Sequence, residues 1–510
     1  MTEPIAPTEV EEIIVAPSQP KPTTRGVEVY QPRISLMLRK SINRRQEVAG
    51  GVELDERAKN LGGADLDLAR FLGQGSSVSV RRTCRGPDSG MFSIEFPDQM
   101  QIGQVDSLYG LIEPMDVLEI RMARDVVGAG VKDMPLVLRG FVSSVSRNEA
   151  MGPTGPIRTV TITGHDYSKI LQIMRVIYLP TMIVGQDLLS NFKLFLNYGP
   201  EAQTYETAAE FVLSIVGEVV NEFLGKMSAA GAGRPIIYPL AVDATSPADF
   251  SLVSPFGTQE WPGGTIYDLL SHFGDVGAWQ ELFVRDDESG PVLVYRPTPF
   301  RTAAGDYIQP GSEAETIAID AGDVVALSAN RSDMDVGNYF WVASPQYQLV
   351  GQPLLKLDQD LEPKCALTDY QNSDPIIYGI RLLEAQTQQG ARYDGQSAES
   401  VAEGDALALK FNGEKRRVLI ENNKDNVVFE TGNMRLKGNP SIQAGMYVRL
   451  SRGDFVADYY AHTVVHEFTY GAAFMTSIEF DRGTGFIERV QRGGADSAYL
   501  AELTIGGVYD

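Results

Sequence analysis

FSIEFPDQ (Phe92–Gln99), LIEPMDVLEIRMARD (Leu111–Asp125), VLRGFVSSVSR (Val137–Arg147) and RTVTITGHDYSKIL (Arg158–Leu171) decide the fold. Phe92, Ile94 and Phe96 alternate with Ser93 and Glu95, and Leu118, Ile120 and Met122 alternate with Glu119 and Arg121. Val160 and Ile162 alternate with threonines. An apolar residue at every second position puts one side of an extended chain against a core, which marks a half-buried antiparallel strand. Pro97, Gly103, Pro114, Gly140 and Gly152-Pro153 punctuate the runs at the short spacing of a barrel. The same logic returns in LKGNPSIQAGMYVRL (Leu436–Leu450) and DYYAHTVVHEFTYGAAFMTSIEFDRG (Asp458–Gly483), where Ile478 and Phe480 alternate with Ser477, Glu479 and Asp481. Two small barrels or sandwiches in one chain are the expectation.

Between them the texture changes. Residues 168–177 and 187–196 have helical spacing, and Thr207-Ala-Ala-Glu210 has the form of a capping box opening a run with apolar residues at 211, 212, 215, 216, 219, 220 and 223. Thr265–Phe273 reads as a short helix, followed by strands at Glu281–Val284 and Val292–Arg296. Strands resume at Thr316–Ile319, Val324–Ala329 and Tyr339–Val342, and Val401–Asn422 is a helix weakened by Gly404 and Gly413. The fold class is mainly β with a mixed α/β insertion.

The chain has 510 residues and is 43% apolar, enough for several buried cores. Its 44 basic and 67 acidic side chains give a net charge of -23, which repels nucleic acid in general. Cys84 and Cys365 have no metal spacing and make no disulfide framework, in keeping with a reducing compartment. Prolines at 4, 7, 17, 20 and 22, without a basic segment before an apolar one, describe an arm and not a signal peptide. The most apolar later stretch, Val176–Val184, is broken by Pro180 and falls well short of the roughly 20 residues that cross a bilayer.

Catalytic patterns fail one by one. His462 and His466 share a strand face with Glu467 opposite, whereas a zinc H-E-x-x-H needs a helix with its Glu between the histidines. Asp166 reads as a helix N-cap. Gly225-Lys226-Met-Ser228 lacks the phosphate loop's first glycine, since Val220 stands there, and G-x-S-x-G does not occur. Trp261, Trp279 and Trp341 are dispersed, which suits packing or interface anchoring. Nothing calls for a catalytic residue, a cofactor or a metal.

Four segments together resemble the baseplate hub proteins of long-tailed, especially contractile-tailed, bacteriophages. They are Ile112-Glu-Pro-Met-Asp-Val-Leu-Glu-Ile120 with Gly140-Phe-Val-Ser-Ser-Val145 and Val160–Asp166; Trp279–Phe300; Arg331–Val342; and the GNPSIQAGMYV and YYAHTVVHEF…TSIEFDRG patterns. The resemblance spans about residues 90–485. It implies two tail-tube-like β-barrel domains plus an insertion: an arm at 1–25, a first barrel at 26–175 completed by about 311–365, an insertion at 176–310, a second barrel at 366–490 with a helix at about 401–422, and a tail at 491–510. It also implies a structural virion protein of the tail baseplate, assembled in the host cytoplasm, with no enzymatic activity. As a homotrimer it would join a six-fold tail tube protein to a three-fold spike or tip protein. Baseplate wedge proteins and a tape measure protein would be further partners, and DNA would pass through an axial channel without specific binding. The alternatives are a tail-tip cell-wall hydrolase and a receptor-binding or spike module. Candidate interface residues are Tyr459, Tyr460, Phe468 and Tyr470, as aromatic anchors or as barrel filling. Arg39, Arg44 and Arg45, with Lys40, form a basic patch that suits an acidic neighbour or a solvated turn.

Overall fold

The computed structural model describes residues 31–40, 47–48, 52–53, 65–98, 108–125, 134–152, 155–176, 207–230, 237–246, 264–343, 370–389, 398–453 and 455–491. The arm at 1–25, the helix expected at 187–196, Arg44, Arg45, Trp261 and Cys365 lie outside them.

In the N-terminal part the alternating runs become β1 (Arg33–Arg39), β2 (Asp65–Asp67), β3 (Ser77–Thr83), β4 (Gly90–Pro97), β5 (Val117–Ala123), β6 (Leu136–Gly152) and β7 (Gly155–Asp166). A short helix, α1 (Leu108–Leu111), precedes β5, and α2 (Ser168–Ile173) follows β7. The strands hydrogen-bond in the order β3-β4-β7-β6-β5-β1-β2, all antiparallel. The residues that alternate in sequence, among them Val78, Val80, Ile94, Phe96, Leu118, Ile120, Val160 and Ile162, meet in one apolar core.

The C-terminal part repeats this plan. Its strands are β11 (Thr316–Asp320), β12 (Val324–Asn330), β15 (Glu430–Lys437), β16 (Met446–Arg452), β17 (Phe455–Thr469) and β18 (Ala473–Gly483), followed by α7 (Gly485–Gln491). They run in the order β12-β15-β18-β17-β16-β11 around a second core containing Met434, Leu436, Val448, Leu450, Val464 and Ile478.

Six strands of the first order correspond one for one to the six of the second, β2 alone having no counterpart, and the correspondence holds at single residues. Gly445 N–H donates to Ala461 O at 2.8 Å, and Met115 N–H donates to Val142 O at the same distance. Both residues have positive φ, 73° at Met115 and 85° at Gly445. The register slips at Ser143 in the β6–β7 pairing and at His462 in the β17–β18 pairing, one residue after each of these acceptors. Phe92 faces Gly164 where Gly432 faces Phe480, so large and small partners exchange strands while the pair keeps its place. A Cβ on Gly164 would come within 2.2 Å of the Phe92 ring, which is why glycine stands there. One difference is topological: β1 joins β5 antiparallel, whereas β11 joins β16 parallel.

This pairing corrects the expectation that residues 311–365 complete the first unit. β11 and β12 pair with β16 and β15 of the second unit, and β13 (Tyr339–Ala343) pairs in parallel with β14 (Leu382–Gln386). Alternation announces that a strand exists but does not name its neighbour.

The insertion is α/β. Thr207 caps α3 (Ala208–Ile215), accepting the Glu210 N–H at 3.1 Å, and the helix runs through a wider turn at Val216–Val220 into α4 (Asn221–Ala230). A reciprocal capping box between Thr265 and Asp268 starts α5 (Ile266–Phe273). These helices pack with Phe141, Tyr167 and Leu171 of the first unit. A three-stranded sheet of β8 (Ala241–Ala244), β9 (Gln280–Asp287) and β10 (Gly290–Pro297) lies alongside them. The long helix α6 (Ala398–Asn423) forms despite Gly404 and Gly413, its Val418, Leu419 and Ile420 packing with Trp279, Phe340 and Val342. No helix among the described residues is long and apolar enough to cross a membrane.

Candidate functional site

The two units meet edge to edge. β17 is 15 residues long, and on one side its first half, Phe455–Ala461, pairs with β16 while its second half, Thr463–Thr469, pairs with β3. The joint is antiparallel, with Val465 opposite Arg81, Glu467 opposite Ser79 and Thr469 opposite Ser77. It welds both units into one 13-stranded sheet. Side chains cross it as well: Phe468 and Phe474 of the second unit are buried in the core of the first, with Val78 and Val80. Burying two phenyl rings at a joint contributes several kcal/mol at about 25 cal/mol per Å2 of apolar surface.

A hairpin of the insertion braces the joint through buried charge. On β3, Arg82 donates to Asp166 (3.1 Å) and to Asp286 of β9, and its remaining N–H groups reach the Val137 and Val284 carbonyls. Asp286 also accepts the Arg139 N–H at 2.9 Å. Asp166 takes the Ser89 hydroxyl and the Ser168 N–H. It serves the start of α2 from one position before the capping residue, Tyr167, whose own side chain makes no cap bond. Burial pushes Asp166 up to about 6 against the pull of Arg82. On the same hairpin Arg296 binds Glu281 at 3.2 Å and the Gly445 carbonyl at 2.6 Å, while the Tyr460 hydroxyl donates to Glu281. Cys84 sits against Tyr460 and Glu281, and burial raises its thiol well above the ordinary range, leaving it protonated. The arrangement is a brace of paired charges in which Asp286 accepts through Oδ2 while its buried Oδ1 has no hydrogen-bond partner among the described residues; breaking one partner of such a set typically costs about 3–5 kcal/mol.

The sequence-derived residues fall in several places. Tyr459, Tyr460 and Phe468 are buried inside this chain, Tyr459 and Tyr460 filling cores and Phe468 anchoring a contact between its two units. Alternation marks an aromatic as inward-facing but does not say whose interior it enters. Tyr470, at the turn between β17 and β18, is exposed, and its N–H donates to the Ser76 carbonyl. Arg39 lies within 4 Å of Asp65 and Glu119, and Lys40 is buried on Asp116, Glu113 and the Leu111 carbonyl. His466 is buried, with Nε2 on the Ile442 carbonyl and Nδ1 on Thr476, and burial lowers it to about 4. His462 occupies the register slip and is only half-buried. Among the described residues no group of three or more His, Cys, Asp or Glu side chains converges on a point that would hold a metal. Sequence reasoning missed the Arg82–Asp166–Asp286 cluster, whose members lie on separate strands with no local signature.

No protein-family model matches the sequence, and no curated protein does. Solved structures that it is similar to include tail and baseplate proteins and a secretion component. A 43 kDa tail protein of prophage MuSo2 from Shewanella oneidensis is 14% identical, with 90% of this chain and 98% of that one covered and a TM-score of 0.42. A prophage tail protein from Listeria monocytogenes is 11% identical, with coverages of 93% and 99% and a TM-score of 0.40. A component of the type VI secretion system of E. coli, described as structurally similar to bacteriophage T4 tail proteins, is 8% identical, with coverages of 80% and 74% and a TM-score of 0.36.

Proposed function

We propose that this chain is a structural hub of a phage-type tail baseplate, a homotrimer that joins a six-fold tail tube to a three-fold spike around an axial channel. The observation that carries the reading is the duplication: one strand order occurs twice in a single polypeptide and is fused through β3 and β17. A partner with six-fold symmetry requires six similar surfaces, and a partner with three-fold symmetry requires three. Three copies of a doubled unit offer both at once, and closed rings of identical subunits are the common outcome of such surfaces. The motif resemblance from Ile112 to Gly483 supports the same assignment.

In this reading the tube and the spike bind opposite faces of the ring, and wedge proteins bind its rim. DNA passes through the channel without sticking, because a chain of net charge -23 repels a polymer carrying one charge per roughly 1.7 Å of its axis. Light scattering after size exclusion should give three copies per particle, alone or with the spike protein, and averaged electron micrographs should show a three-fold ring with a central hole. A protein that remains a monomer up to its solubility limit and in the presence of the spike would overturn the reading.

A further inference from the structure

The duplication leaves one joint made and its equivalent unmade. β17 corresponds to β6, and β3 corresponds to β12. Inside the chain, β3 pairs with the second half of β17, beyond the stretch held by β16. In the first unit β5 holds only the Leu136–Phe141 stretch of β6 on that side. Among the described residues no strand other than β7 pairs with Ser144–Gly152, and Ser146–Met151 are all exposed. At the far end of the sheet β12 pairs, among the described residues, only with β15. Among the described residues the sheet therefore presents a strand edge and an unpaired strand berth that are the counterparts of two surfaces already joined within it.

Two further observations say what covers them. Edge strands that stay in water are protected by lysine, proline or inward charge, because bare backbone N–H and C=O groups template pairing. β12, VVALSAN, carries no charge and no proline, and its Val325 is 58% exposed. Met151, at the far end of the berth, is 87% exposed. Superimposing the existing joint on the unmade one brings Val325 beside Met151.

The geometry points to a second copy of this chain as the occupant: β12 of one copy pairs antiparallel with Ser146–Ala150 of β6 in the next. Carried over from Glu467 opposite Ser79, the register sets Asn148 opposite Ser328, with Ser146 opposite Asn330 and Ala150 opposite Ala326. The contact is head-to-tail, so it closes on itself only as a ring. It is also more polar than its internal counterpart, since Glu149 and Arg158 stand where Phe468 and Phe474 fill the internal joint; Glu149 lies 2.8 Å from Arg147 and 3.6 Å from Arg158. The inference rests on the proposed ring and specifies the strands that close it.

The full chain carrying Asn148→Cys and Ser328→Cys, oxidised mildly and run without reductant, tests it. The expected result is covalent dimer and trimer, absent from either single substitution and reversed by reductant. The pair Ser146→Cys with Asn330→Cys should behave alike, and the slipped pair Asn148→Cys with Ala329→Cys should link several-fold less. All these positions are exposed, so the variants retain their cores. A trimer by light scattering that gives no cross-link in register overturns this joint and leaves the hub reading standing. A monomer in every condition overturns both.

Discussion

Gly445 occupies a left-handed backbone conformation, φ 85°, with its carbonyl on Arg296 and no room above it. A Cβ there would meet Arg296 Nη2 at 2.7 Å and the Phe283 ring at 3.0 Å. Gly445→Ala therefore combines a backbone penalty of about 1–2 kcal/mol with displacement of the Arg296–Glu281 pair. We expect the unfolding free energy to fall by at least that much, read as a lower urea midpoint with the slope unchanged; a neutral result would mean that the brace yields freely. Met115, the counterpart in the first unit, bears the same conformation with a full side chain, so Met115→Gly should be tolerated far better. The left-handed position was hidden in the sequence at both sites, because Pro114-Met115 and Ala444-Gly445 share no residue. Asp166 was legible as a residue that serves a helix start. Its bond to Arg82 was not, because burial and partners depend on strands far away in the chain.

Strands and helices were the readable layer. Alternation located β4, β5, β7 and β18, and a threonine capping box located α3, because each signal lies within a few residues of the element it creates. Partnership was less readable: β11 and β12 were assigned to the wrong unit, since strand pairing is set by tertiary packing. β17 illustrates what its burial does. His466 remains neutral in the fold down to about pH 4, whereas the unfolded imidazole charges near 6.5. The unfolded state thus binds more protons between those values, so this contribution is complete above 6.5 and disappears as pH falls toward 4, about 3 kcal/mol in all. Asp166 opposes it, because its raised value favours the folded state below its ordinary range and loses that advantage as pH rises through about 6. Urea unfolding of His466→Gln and wild type should show a stability gap that narrows by about 3 kcal/mol from pH 7 to pH 4; a constant gap would remove the imidazole from the account. Two positions further along, Phe468→Ala should cost about 3–5 kcal/mol. Its loss of hydrogen-exchange protection should concentrate at residues 77–83 and 463–469, and a uniform loss would mean the units do not separate at this joint.

At the scale of the whole molecule the deciding quantity is charge. Each copy carries -23, so three copies brought together carry 3 × -23 = -69. At the polar joint inferred between copies, the specific attractions are few and exposed, and exposed ion pairs are worth about 0–1 kcal/mol each. The repulsion acts over the whole ring and is screened over about 10 Å at 0.1 M salt and about 3 Å at 1 M. Repulsion is therefore the larger electrostatic effect, and salt weakens it more than it weakens the contacts. Raising salt from about 0.05 to 0.5 M should shift the copies from monomer toward trimer. Sedimentation velocity across that range reads the balance directly. Dissociation on adding salt would show instead that ion pairs between copies govern closure, and would move the search for the joint to charged surface outside β12.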